Sequence, residues 1–359
     1  MFTLYTTLEN ISIEHNANET PLEVFYRAGL PTQGFVLLDK NNTYFPLTKV
    51  IGDEDLHAFS IRNIDFSVIR PNFKVIEQND AVVELFDIRD NERTILQMTR
   101  LESIEFIKTS VYSVLNNYKD QPDANQKIQI ALSPGGDGRI LAECVSNYNR
   151  DYPGVFDFYC VICAVGFENE AEHIENAVEL AQRFSFKYIV YDSEEGGKLL
   201  GYKKGLDILS QEFLEKFPND EPEIMLTYWV QEVNFKSAIV NGTNAIIFGY
   251  NMEDVLGEIL YDMMTGVVNK PYPIRLDKGL KLIAPLYNVP KKVLDSLDIS
   301  NSLRNYAQRI KPVATTRSIF YLLSYFMIEQ YPQLANSIVN RKEEVQLSKN
   351  EIVKWLNKL

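Results

Sequence analysis

The chain has 359 residues, 45% of them hydrophobic, with 36 Lys and Arg against 49 Asp and Glu. That length holds two or three domains, each with its own core. The net charge of −13 excludes a protein that coats nucleic acid by charge alone, because neutralising phosphates takes clustered Lys and Arg. The longest apolar stretches, such as Ile319 to Ile328, are shorter than the roughly 20 residues of a membrane-spanning helix, and no basic-then-apolar leader opens the sequence, so a cytoplasmic location is expected. The average charge conceals an asymmetry. From Thr265 to Leu359 there are 15 Lys and Arg against 7 Asp and Glu, so an anionic substrate is expected to approach the C-terminal third.

Residues 1–100 read as short strands punctuated by turns. Phe2 to Thr7 and Ile11 to His15 alternate as a hairpin, and Thr20-Pro21 supplies an N-cap and a first-turn proline for a helix over Leu22 to Ala28 that Gly29 ends. Gly34 to Leu38 and Thr43 to Leu47 flank an Asn41-Asn42 turn, and the acidic turn Gly52-Asp53-Glu54-Asp55 precedes a strand from Leu56 to Ile61. This order resembles the β-grasp of small sulfur-carrier and ubiquitin-like proteins, but the segment has no terminal Gly-Gly to be charged with sulfur. It is expected to dock, shape substrate or form dimers.

Ile104, Ile107, Val111, Val114 and Leu115 recur at helical spacing, which gives a helix and linker over 101–126. Strands at Lys127 to Leu132, Phe158 to Val165, Lys187 to Tyr191 and Ala245 to Gly249 then alternate with helices from about Arg139, from Glu170 to Phe184 and from Trp229 to Asn241. Alternation of this kind predicts an α/β domain over 127–300 with a mostly parallel, doubly wound sheet. Residues 301–359 read as a helical C-terminal region whose stripe from Ile319 to Tyr331 belongs in a core. The chain has three cysteines. Two of them, Cys160 and Cys163, make a C-x-x-C, but they fall in a buried-strand pattern where positions three apart face opposite ways, so burial is expected rather than metal or redox chemistry.

The most informative stretch runs Ala131-Leu132-Ser133-Pro134-Gly135-Gly136-Asp137-Gly138-Arg139. A strand that ends in small residues and reopens as a helix aims free backbone N–H groups and the positive end of the helix dipole at one point, which suits a phosphate chain. Asp137 belongs beside phosphates only if it holds a cation, so Mg²⁺ is implied. Neither the Walker loop nor a G-x-G-x-x-G occurs here.

This turn resembles the signature of the PP-loop ATP pyrophosphatase superfamily, also called adenine nucleotide alpha hydrolase-like: S-G-G-x-D followed by Ser or Thr. Ser133, Gly135 and Asp137 match, whereas Pro134 and Gly138 depart from it. Ala245 to Asp254 resembles the second signature, G-H-N-x-x-D after a strand, of the branch that thiolates transfer RNA or forms lysidine. Here Gly249, Asn251 and Asp254 match, Tyr250 replaces the histidine, and Glu258 falls one residue beyond the usual acidic position. Lys281 to Lys292 resembles that branch's Pro-Leu segment, in which a basic residue leads into a helix.

The resemblance implies a HUP-like fold that binds ATP and Mg²⁺, with Asp137 and Asp254 as metal ligands. Asp137, Lys236 and Asp254 would be catalytic. The nucleotide would be held by Ala131, Leu132, Ser133, Gly135, Gly136, Gly138, Arg139, Gly249 and Asn251, and its adenine by Ala164, Val165 and Gly166 with Phe167 as a wall. The implied reaction is adenylation of a substrate oxygen with release of pyrophosphate, then attack by a nucleophile that displaces AMP. Insertion of sulfur into a purine-like small molecule is the leading expectation. Amide or amidine ligation, transfer RNA modification and a degenerate nucleotide-binding protein stand as alternatives, and a homo-oligomer is compatible with the sequence. The three-cysteine cluster found in some branches has no counterpart here, since no cysteine follows Cys163.

Overall fold

The computed structural model describes residues 2–5, 10–16, 18–60, 74–89, 92–164, 170–202, 206–216, 222–267, 270–299, 316–330 and 332–340. The chain divides into two compact units. One comprises Met1–Thr99, Met252–Arg275 and Arg309–Leu359, and the other Arg100–Asn251 and Leu276–Gln308.

The first unit opens with β1 (Phe2–Tyr5), β2 (Asn10–Ile13) and α1 (Pro21–Arg27), followed by β3 (Phe35–Asp39) and β4 (Leu56–Ser60). The expected helix start is a full capping box. Glu23 N–H donates to Thr20 Oγ1 at 3.3 Å, and Thr20 N–H donates to Glu23 Oε2 at 2.8 Å, with Pro21 where no N–H is needed. The strands form a sheet in the order β2-β1-β4-β3, with β1 antiparallel to β2 and parallel to β4, and β3 antiparallel to β4. This is the β-grasp-like arrangement expected from the sequence. Thr43 to Leu47 does not form the expected strand but reduces to one bridge between Leu38 and Tyr44. Asp39 Oδ1 accepts from the N–H groups of Asn41 and Thr43, which tightens the turn, and Pro46 has no N–H to extend a ladder. A second sheet, β5 (Lys74–Ile76), β6 (Ala81–Arg89) and β7 (Glu92–Thr99), has the order β5-β7-β6.

The second unit holds α2 (Arg100–Lys119), β8 (Lys127–Leu132), α3 (Gly136–Asp151), β9 (Asp157–Cys163), α4 (Glu170–Arg183), β10 (Lys187–Tyr191), α5 (Ser193–Leu200), α6 (Leu206–Lys216), α7 (Pro222–Val240) and β11 (Ala245–Ile247). After an excursion that ends within β12 (Ile274–Asp277), it continues as β13 (Leu280–Ile283) and α9 (Lys291–Leu297). Its sheet has the order β10-β9-β8-β11-β13-β12, and every pair from β10 to β13 is parallel. Strands buried on both faces read as continuous apolar runs, and β9 and β11 do so. A buried polar network ties α7 to the sheet. Gln129 Nε2 donates to Asn234 Oδ1 at 2.9 Å and Tyr159 OH donates to Gln129 Oε1 at 3.0 Å.

The excursion is α8 (Met252–Thr265), which belongs to the first unit with α10 (Thr316–Gln330) and α11 (Pro332–Val339). The sequence led us to expect an unbroken α/β domain over 127–300 followed by a separate helical tail, and the chain divides differently. The reason is burial. Val255, Leu256 and Ile259 of α8 are fully buried, and a Cβ built on Gly257 would lie 3.9 Å from Phe320 and Tyr321, so α8 and α10 cross closely there. Tyr321 and Tyr325 in turn join Phe25, Phe35, Leu37 and Leu56 in one core, so the aromatic stripe expected to be core closes the β-grasp-like sheet.

Candidate active site

In an open parallel sheet, ligands sit beyond the carboxyl ends of the strands where the strand order reverses. Here β8 is followed to one side by β9 and β10 and to the other by β11 and β13, so the reversal lies between β8 and β11. The glycine-rich turn leaves β8 at this point, and Gly249 to Asn251 follow β11 beside it.

The turn is built by a close approach. Helix α3 starts at Gly136 after Gly135 (φ −63°, ψ 169°), and no side chain caps it, so its first-turn N–H groups point outward beside the exposed Ser133. A Cβ on Gly138 would lie only 2.1 Å from the Ser133 carbonyl oxygen. That contact explains why glycine stands where the PP-loop signature has Ser or Thr: the first turn of α3 is pressed against the end of β8.

Asp137 anchors this arrangement. Asn251 Nδ2 donates to its Oδ2 at 3.0 Å, a bond that joins the two strand ends across the reversal point. The ammonium of Lys291 lies 2.9 Å from its Oδ1, close enough for an ion pair but off the line of a hydrogen bond, so this buried oxygen has no aligned donor. Lys291 also pairs with Asp295, one turn along α9, and all three side chains are largely buried, with Lys291 exposed by 9% and Asp295 by 1%. Lys291 opens α9 directly after Pro290, where the positive end of the helix dipole repels a cation. Two carboxylates offset that repulsion, as a polyphosphate would. The Ser110 hydroxyl of α2 holds the turn before α9, its single proton lying between two acceptors, the Pro285 carbonyl oxygen at 2.7 Å and Asn288 Oδ1 at 2.5 Å.

The remaining sequence-selected residues are placed as follows. Leu132 is buried and Ala131 partly buried at the end of β8, and Gly249 lies against Leu141, whose Cδ2 would be 3.6 Å from an added Cβ. Ala164 is buried and its N–H donates to the Tyr191 carbonyl at 3.0 Å, so that group serves the strand pairing. Val165, Gly166 and Phe167 lie outside the described residues. Arg139 points away from the phosphate turn and pairs with Asp298 at 3.3 Å. Asp254 lies in the first unit, where its Oδ1 accepts from Tyr321 OH at 2.7 Å, and Glu258 pairs with Arg275 at 2.6 Å. Lys236 is an exposed residue of α7. The cation that reaches Asp137 is Lys291, which falls within the Lys281 to Lys292 segment and was assigned no role from the sequence. Two signals marked it: a lysine at the wrong end of a helix, and an aspartate four residues on.

No family model matches the chain, and no curated protein matches it. Solved structures do. The U34-tRNA thiolase NcsA from Methanococcus maripaludis, determined with its 4Fe-4S cluster, is 18% identical over 73% of this chain and 82% of its own, with a TM-score of 0.50. NAD+ synthetase from Burkholderia pseudomallei is 11% identical, covering 73% of this chain and 89% of its own with a TM-score of 0.35. FMN adenylyltransferase from Candida glabrata is 15% identical, covering 72% and 81% with a TM-score of 0.32. The thiolase likeness is a likeness of fold. This chain has the PP-loop fold.

Within the PP-loop unit, the three thiols are poorly suited to chemistry. Burial pushes Cys144, Cys160 and Cys163 up to about 12, with Glu143 adding to the effect at Cys144 and Glu170 at Cys163. At neutral pH all three are protonated, and the thiolate is the form that attacks or binds metal. Among the described residues no three His, Cys, Asp or Glu side chains gather as a metal site. Mg²⁺ bound to a nucleotide needs only one or two carboxylates, because phosphates and water supply its other ligands. Asp137, beside an uncapped helix N-terminus, supplies one such carboxylate, and its Oδ1, now facing the Lys291 ammonium at 2.9 Å, has no aligned hydrogen bond to give up.

Proposed function

We propose that this protein binds MgATP at the turn Ser133 to Gly138 and adenylates a carbonyl oxygen of a purine-like small molecule, after which sulfur from a donor outside the chain replaces that oxygen. The observation that carries the reading is the Lys291–Asp137–Asn251 cluster at the strand-order reversal. Mg²⁺ would supply charge neutralisation between the phosphate oxygens and Asp137. The N–H groups of Gly136, Asp137 and Gly138 and the Ser133 hydroxyl would hold the polyphosphate, and Asn251 would keep the Asp137 carboxylate turned toward it. Lys291, already poised between two carboxylates, would turn one N–H toward the phosphoryl oxygens as their charge grows.

In the first step the substrate oxygen bonds to the α-phosphorus and the bond to the β-phosphate bridge breaks, releasing pyrophosphate. In the second, hydrosulfide adds to the activated carbon, AMP departs with the former carbonyl oxygen, and the sulfur loses its proton. The sulfur is assigned to an outside donor because burial raises all three thiols of the chain and keeps them protonated. The same observation leaves an amide- or amidine-forming ligase as the second reading, with an amine in place of hydrosulfide.

The test is to incubate the protein with MgATP, a sulfide or ammonia source, and pooled purines, pterins and transfer RNA, and to follow nucleotide products and acceptor masses. Equal amounts of AMP and pyrophosphate, with an acceptor heavier by the exchange of oxygen for sulfur, are expected. A mass change for nitrogen selects the ligase, and a macromolecular acceptor moves the substrate class to transfer RNA. ADP as the sole nucleotide product, or no turnover with any acceptor, overturns the proposal. Asp137→Asn should lose turnover and weaken the Mg²⁺ dependence of ATP binding.

A further inference from the structure

A cavity of about 230 Å³ lies in the PP-loop unit between α2, α3 and the end of α9. Its charge is lopsided: Arg100, Lys108, Arg139 and Arg183 line it against Glu143 and Asp298, a surplus of two positive charges. Ile104, Ile107 and Ile140 form an apolar wall. Like charges gathered around one hollow repel one another unless an anion offsets them, and a hollow with apolar walls raises the attraction for that anion by lowering the local dielectric.

The individual cations have few competing commitments. Arg139 lies 3.3 Å from Asp298, yet its buried Nε makes no aligned hydrogen bond. Arg100 gives one N–H to the Leu297 carbonyl at 3.0 Å, which holds its guanidinium at the mouth. Lys108 lies over the Tyr112 ring at 5.1 Å and Arg183 over Phe184 at 5.5 Å, contacts that position each stem and leave the donors able to turn. Cys144 also lines the cavity, but with its thiol pushed up to about 12 by burial it cannot act as a nucleophile there.

This hollow is separate from the phosphate turn. Asp137 and Arg139 are two residues apart on α3, about 200° around the helix, so one faces Lys291 and Asn251 while the other faces the cavity. We propose that the cavity is a second ligand site that takes a small phosphate monoester. The dianion would meet Arg139, Arg100, Lys108 and Arg183, and a compact organic group would lie on the isoleucine wall. The surplus of two charges matches one dianion, and the volume is below that of an ordinary nucleotide pocket, which excludes a bulky ligand.

The experiment titrates the full-length protein with phenyl phosphate, inorganic phosphate and benzyl alcohol by calorimetry. Each titration is run alone and with a saturating ATP analogue that cannot be cleaved between the α- and β-phosphates. Phenyl phosphate should bind more tightly than inorganic phosphate, benzyl alcohol should not bind, and the analogue should leave phenyl phosphate affinity unchanged. Replacing two cations, Lys108→Gln with Arg183→Gln, should weaken phenyl phosphate at least about tenfold while ATP-analogue binding is kept. Ile104→Trp, at a partly exposed position, should fill the hollow and abolish binding. Displacement by the analogue would mean that the monoester occupies the phosphate turn and would overturn the second site. So would undiminished binding in the folded double variant, or no binding at millimolar ligand. Failure of the analogue itself to bind would instead count against the proposed function, because the titrations without analogue still report on the cavity.

Discussion

Gly138→Ala tests the construction of the phosphate turn. In an unconstrained helix this change is favourable by about 1 kcal/mol, because glycine loses more backbone entropy on folding than alanine does. At Gly138 the new Cβ would stand 2.1 Å from the Ser133 carbonyl oxygen, 2.8 Å from its Oγ and 3.0 Å from its carbonyl carbon. Relief requires Ser133 or the first turn of α3 to move by about 1 Å, and overpacking of this kind costs about 1–3 kcal/mol. The net effect should be a loss of up to about 2 kcal/mol, which lowers the melting temperature by a few degrees. The functional effect should be larger, since a displacement of about 1 Å at a reacting centre lowers the rate on the order of 100-fold. Gly135→Ala supplies the contrast. Its backbone is in an ordinary region at φ −63°, and its Cβ would meet nothing nearer than Ser133 Oγ at 3.9 Å, so its stability should stay close to that of the parent. The assay is a thermal melt of both variants beside pyrophosphate release under saturating MgATP and acceptor. If Gly138→Ala raises the melting temperature and keeps full turnover, Gly138 is a plain helical glycine and the close-approach argument is wrong.

Lys291→Ala should abolish pyrophosphate release and lose about 3–5 kcal/mol of stability, because it leaves Asp137 and the fully buried Asp295 without their shared cation. Lys291→Ala combined with Asp295→Ala should recover part of the stability and none of the activity. Lys236→Ala reports on the position that the PP-loop resemblance first selected. Turnover equal to the parent leaves Lys291 as the phosphate-facing cation, whereas a loss on the order of 100-fold returns Lys236 to the site. The three thiols should resist N-ethylmaleimide in the native protein at pH 7 and react once it is denatured; rapid native labelling, or a persulfide found on any of them, would contradict the outside sulfur donor. Since folding raises these thiols from 9.0 to about 12, their contribution to stability is full below pH 9.0 and declines as pH rises toward about 12, which denaturant titrations across that range can follow. Thr20→Ala should destabilise the first unit by about 1 kcal/mol through loss of the capping box, seen as a lower denaturation midpoint with an unchanged slope.

Local sequence was sufficient for the parts of this protein whose physics is local. Thr20-Pro21 and Glu23 state where α1 begins, the apolar runs of β8, β9 and β11 state a buried parallel sheet, and the glycines after Leu132 state a turn between strand and helix. Asn251 and Asp137 were also legible as candidates for one place in the fold, because each sits just past a strand end, where an α/β fold places its ligands, and the two side chains do meet. Which residues meet there was a matter of tertiary structure. Lys291 is 154 positions from Asp137 in the chain, and it arrives only because β13 lies beside β11 and Ser110 holds the turn before α9. The destination of α8 was likewise hidden: its pattern fits any core, and the partner that buries it, α10, follows some 50 residues later. Periodicity tells which face of a helix is to be covered, and only the packed chain decides what covers it.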